Sequence, residues 1–205
     1  MSSQGVEEDV SGLRWKIGWS PWLTIIGVSV LAVLIGSIAD IIAPMFVLGL
    51  LAGVAVYYWG TQEINNNYKE LLQQFISESE RKGARGINVD SANSYSLTFG
   101  HGDSPFFVEP SKTYETTTII VSDSSVNVNL GAEYDMKSRS SVAGGTNREL
   151  YYDQISAVES HQDGSRSVLE IGTSGGDNIE IGSTNTDTVD AAMQDVRQKV
   201  REAKS

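Results

Sequence analysis

A stretch of 38 residues, from Trp22 to Trp59, contains a single charged side chain, Asp40. One α-helix of that length would measure about 57 Å at 1.5 Å per residue, whereas the hydrocarbon core of a bilayer is about 30 Å thick. Two spans fit if the chain reverses near the middle, where Pro44 suits the first turn of a second helix because it lacks a backbone N–H. The sequence therefore predicts a transmembrane helical hairpin, with Pro21–Ile38 and Pro44–Trp59 as its spans and Ala39–Ala43 as its turn.

Aromatic and basic residues flank this predicted hairpin. Aromatic rings favour the headgroup level of a bilayer, and they occur at both outer ends of the hairpin, as Trp15, Trp19 and Trp22 and as Tyr57, Tyr58 and Trp59. Basic residues lie outside the spans, at Arg14, Lys16, Lys69, Arg81 and Lys82, and none lies in the turn. The positive-inside tendency then predicts that both termini are cytoplasmic. A cleaved signal peptide followed by a buried core helix is the competing interpretation, but no convincing small-residue cleavage site is present.

Each predicted span contains two small residues one helical turn apart. They are Ala32 and Gly36 in the first span and Gly49 and Gly53 in the second. Such spacing allows two helix backbones to approach closely, although glycine and alanine are also common in membrane helices for no special reason. Asp40 is interpreted as an interfacial cap at the turn, with an ion-pathway residue as the alternative.

The segment Thr61–Arg85 predicts an amphipathic helix that leaves the membrane and ends at Gly83 or Gly86. Its apolar residues recur at steps of three and four, which places them on one stripe. The stripe has three possible partners: the soluble domain of the same chain, the membrane surface, or the same helix of another copy. Its members are Ile64, Tyr68, Leu71, Leu72, Phe75 and Ile76.

After Gly86 the apolar period changes from helical to alternating, which is typical of β-strands. Gly131–Thr146 is polar and glycine-rich and predicts a mobile loop, and Asn127 and Asn129 predict that one face of their strand is exposed. A final helix, capped by Asn185 or Thr186, has Val189, Met193, Val196 and Val200 as its buried stripe. The predicted strands are Tyr95–Phe99, Thr116–Val121, Val126–Leu130, Glu149–Ser160 and a hairpin of Ser167–Thr173 with Asp177–Ser183 around Gly175 and Gly176.

The run Thr118–Leu130, the run Leu150–Glu159 and the hairpin with its closing helix resemble, in this order, the prokaryotic PH-like domains. Tyr152, Ile155 and Val158 match the Y-x-x-I-x-x-V signature of that family, while Ser125 stands where the family often has a basic residue. The resemblance covers roughly Tyr114 to Ala203. It implies an antiparallel β-barrel or sandwich capped by a C-terminal helix, and it concerns fold more than function.

Composition and motifs exclude several function classes. Acidic residues outnumber basic ones 26 to 15, for a net charge of −11, which disfavours nucleic-acid binding. This acidity fits either ordinary solubility or a salt-adapted organism. The chain has no cysteine, and His101 and His161 are not at metal-ligand spacing. No catalytic residue, metal site, cofactor or small-molecule substrate is expected, since no nucleophile elbow or phosphate loop occurs. Lys137 and Arg139 are the candidates for contact with a lipid head group or a partner.

The fold class predicted from these patterns is α+β, with a tail (1–20), a transmembrane hairpin (21–60), a connecting helix (61–86) and a PH-like β domain (87–205). The predicted function is a non-enzymatic, membrane-anchored binding or scaffolding module at the cytoplasmic surface. Its expected partners are the lipid bilayer and a protein, or a second copy of the chain. The alternative is a structural envelope or virion membrane protein that assembles through its connecting helix or its soluble domain.

Overall fold

The structure, a computed structural model, describes residues 12–85 and 92–205. The acidic tail at Glu7–Asp9 and the predicted boundary at residue 86 lie outside these residues. The chain is α+β, with helices followed by two antiparallel sheets and a C-terminal helix. The helices are α1 (Gly12–Gly18), α2 (Pro21–Ile38), α3 (Ile42–Gly83) and α4 (Thr186–Ala203), and the strands are β1 (Asn93–His101), β2 (Thr113–Val121), β3 (Ser125–Asp135), β4 (Ser140–Tyr151), β5 (Ile155–Asp163), β6 (Arg166–Thr173) and β7 (Asn178–Ser183).

Two compact units make up the chain. The first, the hairpin unit, contains the residues up to Leu72 together with two short segments, Gly102–Lys112 and Met136–Ser138. The second, the sheet unit, contains Gln73–His101, Thr113–Asp135 and Arg139–Ser205. The boundary falls inside α3, so this one helix contributes to both units.

The first predicted span is confirmed, since α2 covers Pro21–Ile38 with the proline in its first turn. The chain reverses through Asp40, whose φ is +58°, and α3 begins at Ile42, two residues before Pro44. The predicted second span and the predicted connecting helix form one continuous helix, because α3 continues through Trp59 to Gly83. Glycine is required at position 60, where a Cβ atom would lie 2.7 Å from the backbone N of Gly18. Gly60 therefore marks a close contact between α1 and α3.

The short helix α1 changes the interpretation of the N-terminal aromatic residues. Trp15 and Trp19 are buried within the protein, and only Trp22 is exposed. The indole N–H of Trp15 donates a hydrogen bond to the carbonyl of Met136 (2.8 Å). The predicted interfacial position is thus wrong for Trp15 and Trp19, because α1 packs back on the protein instead of lying in line with α2.

In the sheet unit, consecutive strands pair to form two antiparallel meanders. The first sheet has the order β1-β2-β3-β4 and the second the order β5-β6-β7. Their facing side chains and α4 enclose one apolar core. The fully buried members include Ile119 and Val128 from the first sheet, Leu169 and Ile171 from the second, and Val196 from α4.

The predicted mobile loop Gly131–Thr146 is wrong, because most of it belongs to β3 and β4. These strands pair from Ser125↔Tyr151 to Asp135↔Ser140, and the turn is only Met136–Arg139. Gly131 and Gly145 have φ values of +72° and +79°, a conformation that glycine adopts without a steric penalty. The glycines therefore bend this long hairpin without interrupting it.

The predicted strand Glu149–Ser160 is divided by a 3₁₀ turn at Tyr152–Gln154. There the chain leaves the first sheet and enters the second. The Tyr152 hydroxyl donates a hydrogen bond to the carbonyl of Ser122 in the β2–β3 turn, while the Tyr152 ring, Ile155 and Val158 lie in the core. The segment predicted as one strand is therefore the end of β4 and the start of β5, joined at a corner.

The C-terminal part of α3 packs on the first sheet. Within the sheet unit the rings of Phe75 and Tyr134 lie 5.1 Å apart, and the Ser96 hydroxyl donates to the Glu80 carboxylate (2.6 Å). Asn129 is buried, and a Cβ atom on Gly83 would lie 3.3 Å from its Cβ. The prediction that this strand face is exposed is therefore wrong at Asn129. Of the three possible partners of the apolar stripe, Phe75 contacts the sheet of its own chain.

The last hairpin and the terminal helix are confirmed. Leu169 pairs with Ile181 and Ile171 with Ile179 across the turn that contains Gly175 and Gly176. The Asn185 side chain accepts a hydrogen bond from the Thr188 N–H (3.2 Å) and caps α4. Of the predicted stripe, Val189 and Val196 are fully buried, and Met193 and Val200 pack at the edge of the core.

Candidate functional site

The apolar parts of α2 and α3 expose most of their side chains. Each helix contains an 18-residue window with a mean hydropathy of 2.1 in α2 and 1.8 in α3, long and apolar enough to cross a membrane. Only 11% of the window in α2 and 17% of that in α3 is buried within the protein. A core helix of a water-soluble domain buries its apolar stripe, whereas these helices present theirs outward. The exposed residues include Leu23, Ile26, Val30, Leu31, Leu34, Ile35, Ile38, Phe46, Val47, Leu48, Leu51 and Val54.

Small residues line the seam between α2 and α3. A Cβ atom added to Gly49 would lie 2.7 Å from the Ala32 Cβ, and one added to Gly53 would lie 2.9 Å from the Ile25 Cα. Gly36 lies in the same way against Met45 near the turn. The four candidate packing residues, Ala32, Gly36, Gly49 and Gly53, thus all lie on this seam, where only small side chains let two backbones come this close.

The end of the hairpin away from the turn is rich in exposed aromatic rings. Trp22, Tyr58 and Trp59 are exposed there. The Arg14 guanidinium lies 3.9 Å from the centre of the Trp59 ring and forms an ion pair with Glu63 (3.5 Å). Cation–π and ion-pair contacts of this kind hold α1 against α3.

The loop that joins β1 to β2, Gly102–Lys112, packs on this aromatic end within the hairpin unit. The Tyr57 hydroxyl donates to the Phe106 carbonyl, and the Asn65 side chain donates to the Phe107 carbonyl (2.9 Å). This loop was not among the predicted sites. The available signal was two adjacent phenylalanines in a loop that contains Pro105 and Pro110, a position where apolar residues have no strand or helix to join.

A cavity of about 220 Å³ lies between β1, β2, β6 and β7 in the sheet unit. Arg166 donates to the Asp163 carboxylate through two nitrogens (2.6 and 2.9 Å) and lies 5.6 Å from the Phe99 ring. Both signs of charge line the cavity, with Arg166 as its basic residue. The lining residues are Leu97, Phe99, Glu115, Thr117, Arg166, Val168, Glu180 and Gly182.

The remaining candidates are scattered. Lys137 is exposed in the β3–β4 turn, and Arg139 ends that turn with a φ of +56°. His101 ends β1 and His161 lies within β5. Among residues 12–85 and 92–205, no group of three or more His, Asp or Glu side chains is placed to hold a metal ion.

Asp195 joins α4 to β1. Its carboxylate accepts hydrogen bonds from the Tyr95 hydroxyl (3.0 Å) and the Asn93 side chain (2.9 Å). Burial, the hydrogen bond and the charge of Asp195 raise the pKa of Tyr95 to about 12. Burial and the nearby carboxylates likewise raise the pKa of Tyr152 to about 12. Both hydroxyls therefore stay protonated in the folded protein, as a structural latch requires.

Comparison of the chain with protein families and with curated proteins found no match.

Proposed function

We propose that this protein is a non-enzymatic membrane-anchored module: α2 and the first part of α3 span the bilayer as a hairpin, and the sheet unit is a PH-like domain that binds a protein partner at the cytoplasmic surface. The observation that carries the anchor is the outward apolar surface of the hairpin. In water, each exposed leucine or isoleucine forgoes about 1.5–3 kcal/mol that burial would supply. A bilayer supplies that burial.

The geometry of the hairpin supports two spans with both ends on one side. The turn at Asp40 lies at one end, while Trp22 and Trp59 lie at the other, as expected for rings at a single bilayer interface. The basic residues nearest to the spans in sequence are on this side of the hairpin: Arg14 and Lys16 precede the first span, and Lys69 follows the second. The excess of basic residues there supports a cytoplasmic location for both termini.

The order of the sheets supports the PH-like assignment. Two antiparallel sheets and a closing helix agree with the antiparallel fold and C-terminal helix that the resemblance implies. The three signature residues Tyr152, Ile155 and Val158 pack in the core at the corner between the sheets, which explains why a PH-like domain would need them. Because these residues pack in the core, the signature supports a fold and does not identify a ligand.

The outer edge of β4 supports a protein partner. β4 is 12 residues long, and of the strands that the structure describes it pairs with β3 alone. Nearly all its residues are exposed, including Val142, which is 63% exposed. A long exposed edge offers backbone donors and acceptors to an extended segment of another protein. The proposed partner class is therefore an extended peptide segment.

Cysteine labelling tests the anchor, because the chain has no native cysteine. Ala39→Cys places a thiol in the turn of the hairpin, and Ser205→Cys places one at the C-terminus; both positions are exposed. In intact cells, a membrane-impermeant maleimide is expected to label position 39 and to reach position 205 only after permeabilisation. Labelling of both positions from one side would contradict a spanning hairpin.

Site-directed crosslinking tests the binding role. A photo-crosslinker at position 142, in native membranes, is expected to capture one defined protein, identified by mass spectrometry, while the same group at Ser174, in the β6–β7 turn, captures none. Capture of a ladder of copies of this chain would instead favour the structural envelope role. Equal capture at both positions would remove the support from the β4 edge.

A further inference from the structure

Among residues 12–85 and 92–205, two phenylalanines in the β1–β2 loop are the most exposed large apolar residues outside the helices. Phe106 is 73% and Phe107 is 69% exposed, whereas the smaller Val108 of the same loop is buried. This pattern of exposure is the reverse of the usual one, because the burial of a phenyl ring contributes more free energy than the burial of an isopropyl group. The exposure is therefore specific to these two side chains rather than a property of the loop as a whole.

The loop is held in place by hydrogen bonds within the hairpin unit. Asn65 uses both ends of its amide: it donates to the Phe107 carbonyl (2.9 Å) and accepts from the Glu109 N–H (2.9 Å). Tyr57, two helical turns earlier on α3, donates to the Phe106 carbonyl. These contacts fix the backbone at both phenylalanines while their side chains stay exposed.

Phe107 also adopts a backbone conformation that large side chains avoid. Its φ is +65°, and a non-glycine residue in this region costs about 1–3 kcal/mol. Asparagine or glycine would fill the same turn at less cost. A strained and exposed phenylalanine indicates that something outside the chain stabilises the ring.

The residues beside the loop indicate which surroundings stabilise the Phe107 ring. Tyr58, exposed at the end of the apolar part of α3, contacts the Phe107 ring edge-on at a centroid distance of 6.3 Å. Trp59 follows it and is also exposed. The phenylalanines thus extend the aromatic end of the hairpin without a break. Asp103 and Glu109 lie exposed beside them, which disfavours an acidic partner and gives no electrostatic attraction to anionic lipid.

We propose that Phe106 and Phe107 form a second membrane contact, a loop wedge that inserts into the headgroup–acyl boundary of a zwitterionic bilayer beside the hairpin. The inference rests on the proposed bilayer location of the hairpin. Burial of two phenyl rings supplies the driving force, and Asn65 is the positioning residue that holds them at the depth of Tyr58.

Spin-label accessibility in the full-length protein tests the wedge. Single cysteines replace Phe106, Leu31 and Ser174, each carries a nitroxide, and the protein is placed in phosphatidylcholine nanodiscs. Collision with water-soluble nickel–EDDA is expected to be several-fold lower at 106 than at 174, with 31 lower still. Equal collision at 106 and 174, with 31 shielded, overturns the wedge and leaves the anchor intact. Free collision at 31 overturns the anchor itself.

A matched pair of asparagine variants tests the positioning. Asn65→Ala, in the chain labelled at 106, removes the amide that holds the loop and is expected to bring nickel collision at 106 much closer to the value at 174. Asn67→Ala is the control, because Asn67 donates only within α3, to the Glu63 carbonyl (2.7 Å). An equal effect of both substitutions, or of neither, would overturn the assigned role of Asn65.

Discussion

The hairpin and the sheet unit use the same apolar residue types in opposite ways. In α2 and α3, Leu31 and Leu48 point outward, and the helices touch through glycine and alanine. In the sheet unit, Leu169 and Ile171 are completely buried, and glycine lies at turns and bends. The difference follows from the surroundings that each unit requires: a bilayer accepts exposed leucine and leaves close packing as the force between helices, whereas water forces leucine inward.

The largest expected effect concerns the buried side of this comparison. Leu169→Ala removes a fully buried side chain from between the two sheets and is expected to lower the unfolding free energy of the sheet unit by about 2–5 kcal/mol. Hydrogen exchange of the β6 amides in the full-length protein measures the loss. Leu48→Ala, on the outward face of α3, is the control and should leave those amides unchanged; similar losses in both would abolish the contrast.

A charge on the outward face of α2 tests the exposed apolar residues of this comparison. Leu31→Arg, near the middle of α2, is expected to disfavour membrane insertion by about 2.5–3.5 kcal/mol. Resistance to alkaline carbonate extraction measures the membrane-integrated fraction. Val142→Arg makes the same kind of change at an exposed position of the sheet unit, where the expected effect on stability is within about 0.5 kcal/mol. If Leu31→Arg is equally harmless, α2 does not cross a membrane.

Two glycines of the hairpin should respond in opposite directions. Gly53→Ala puts a Cβ atom 2.9 Å from the Ile25 Cα and is expected to cost about 1–3 kcal/mol through overpacking. Gly27 has open space around the same position, so Gly27→Ala should stabilise α2 by up to about 1 kcal/mol. Tryptophan fluorescence during thermal unfolding in detergent reports the difference, since all four tryptophans lie between Trp15 and Trp59. A shift of the same sign in both would contradict the seam.

The smallest effect concerns the polar latch of the sheet unit. The pKa of Tyr95 is about 12 in the folded protein and about 10 in an unfolded chain. Because the folded pKa is higher, this stabilisation is complete below pH 10 and is lost as the pH rises towards 12. Tyr95→Phe should cost about 1 kcal/mol at pH 8 and reduce the dependence on pH above 10. Urea titrations from pH 8 to 12 measure both.

A control is needed in that range because other groups titrate there. The hydrogen bond to Asp123 raises the pKa of Lys199, and Tyr152 shares the raised pKa of Tyr95. Tyr151→Phe removes a hydroxyl from an exposed ring and should leave the slope unchanged. If wild type and Tyr95→Phe lose stability in parallel between pH 10 and 12, the titration of the buried Tyr95 hydroxyl is not the cause of the loss.

Local patterns predicted the elements whose neighbours in space are also neighbours in sequence. The helix Pro21–Ile38, the pairing of Leu169 with Ile181 and the cap at Asn185 all depend on residues close together in the chain. The failures lie where distant segments meet. Gly131–Thr146, for example, suggests a loop unless β3 and β4 pair along their length.

By itself, the sequence determined the apolar hairpin, the change to alternating strands and the closing helix, because hydrophobic periodicity and capping act over a few residues. Only the tertiary structure decided that Trp15 and Trp19 are buried, that Tyr152 turns the chain from one sheet to the other, and that Phe106 and Phe107 lie beside Tyr58. These contacts join residues dozens of positions apart, and their free energy comes from packing and hydrogen bonds that no local pattern encodes. The proposed wedge is one of these contacts.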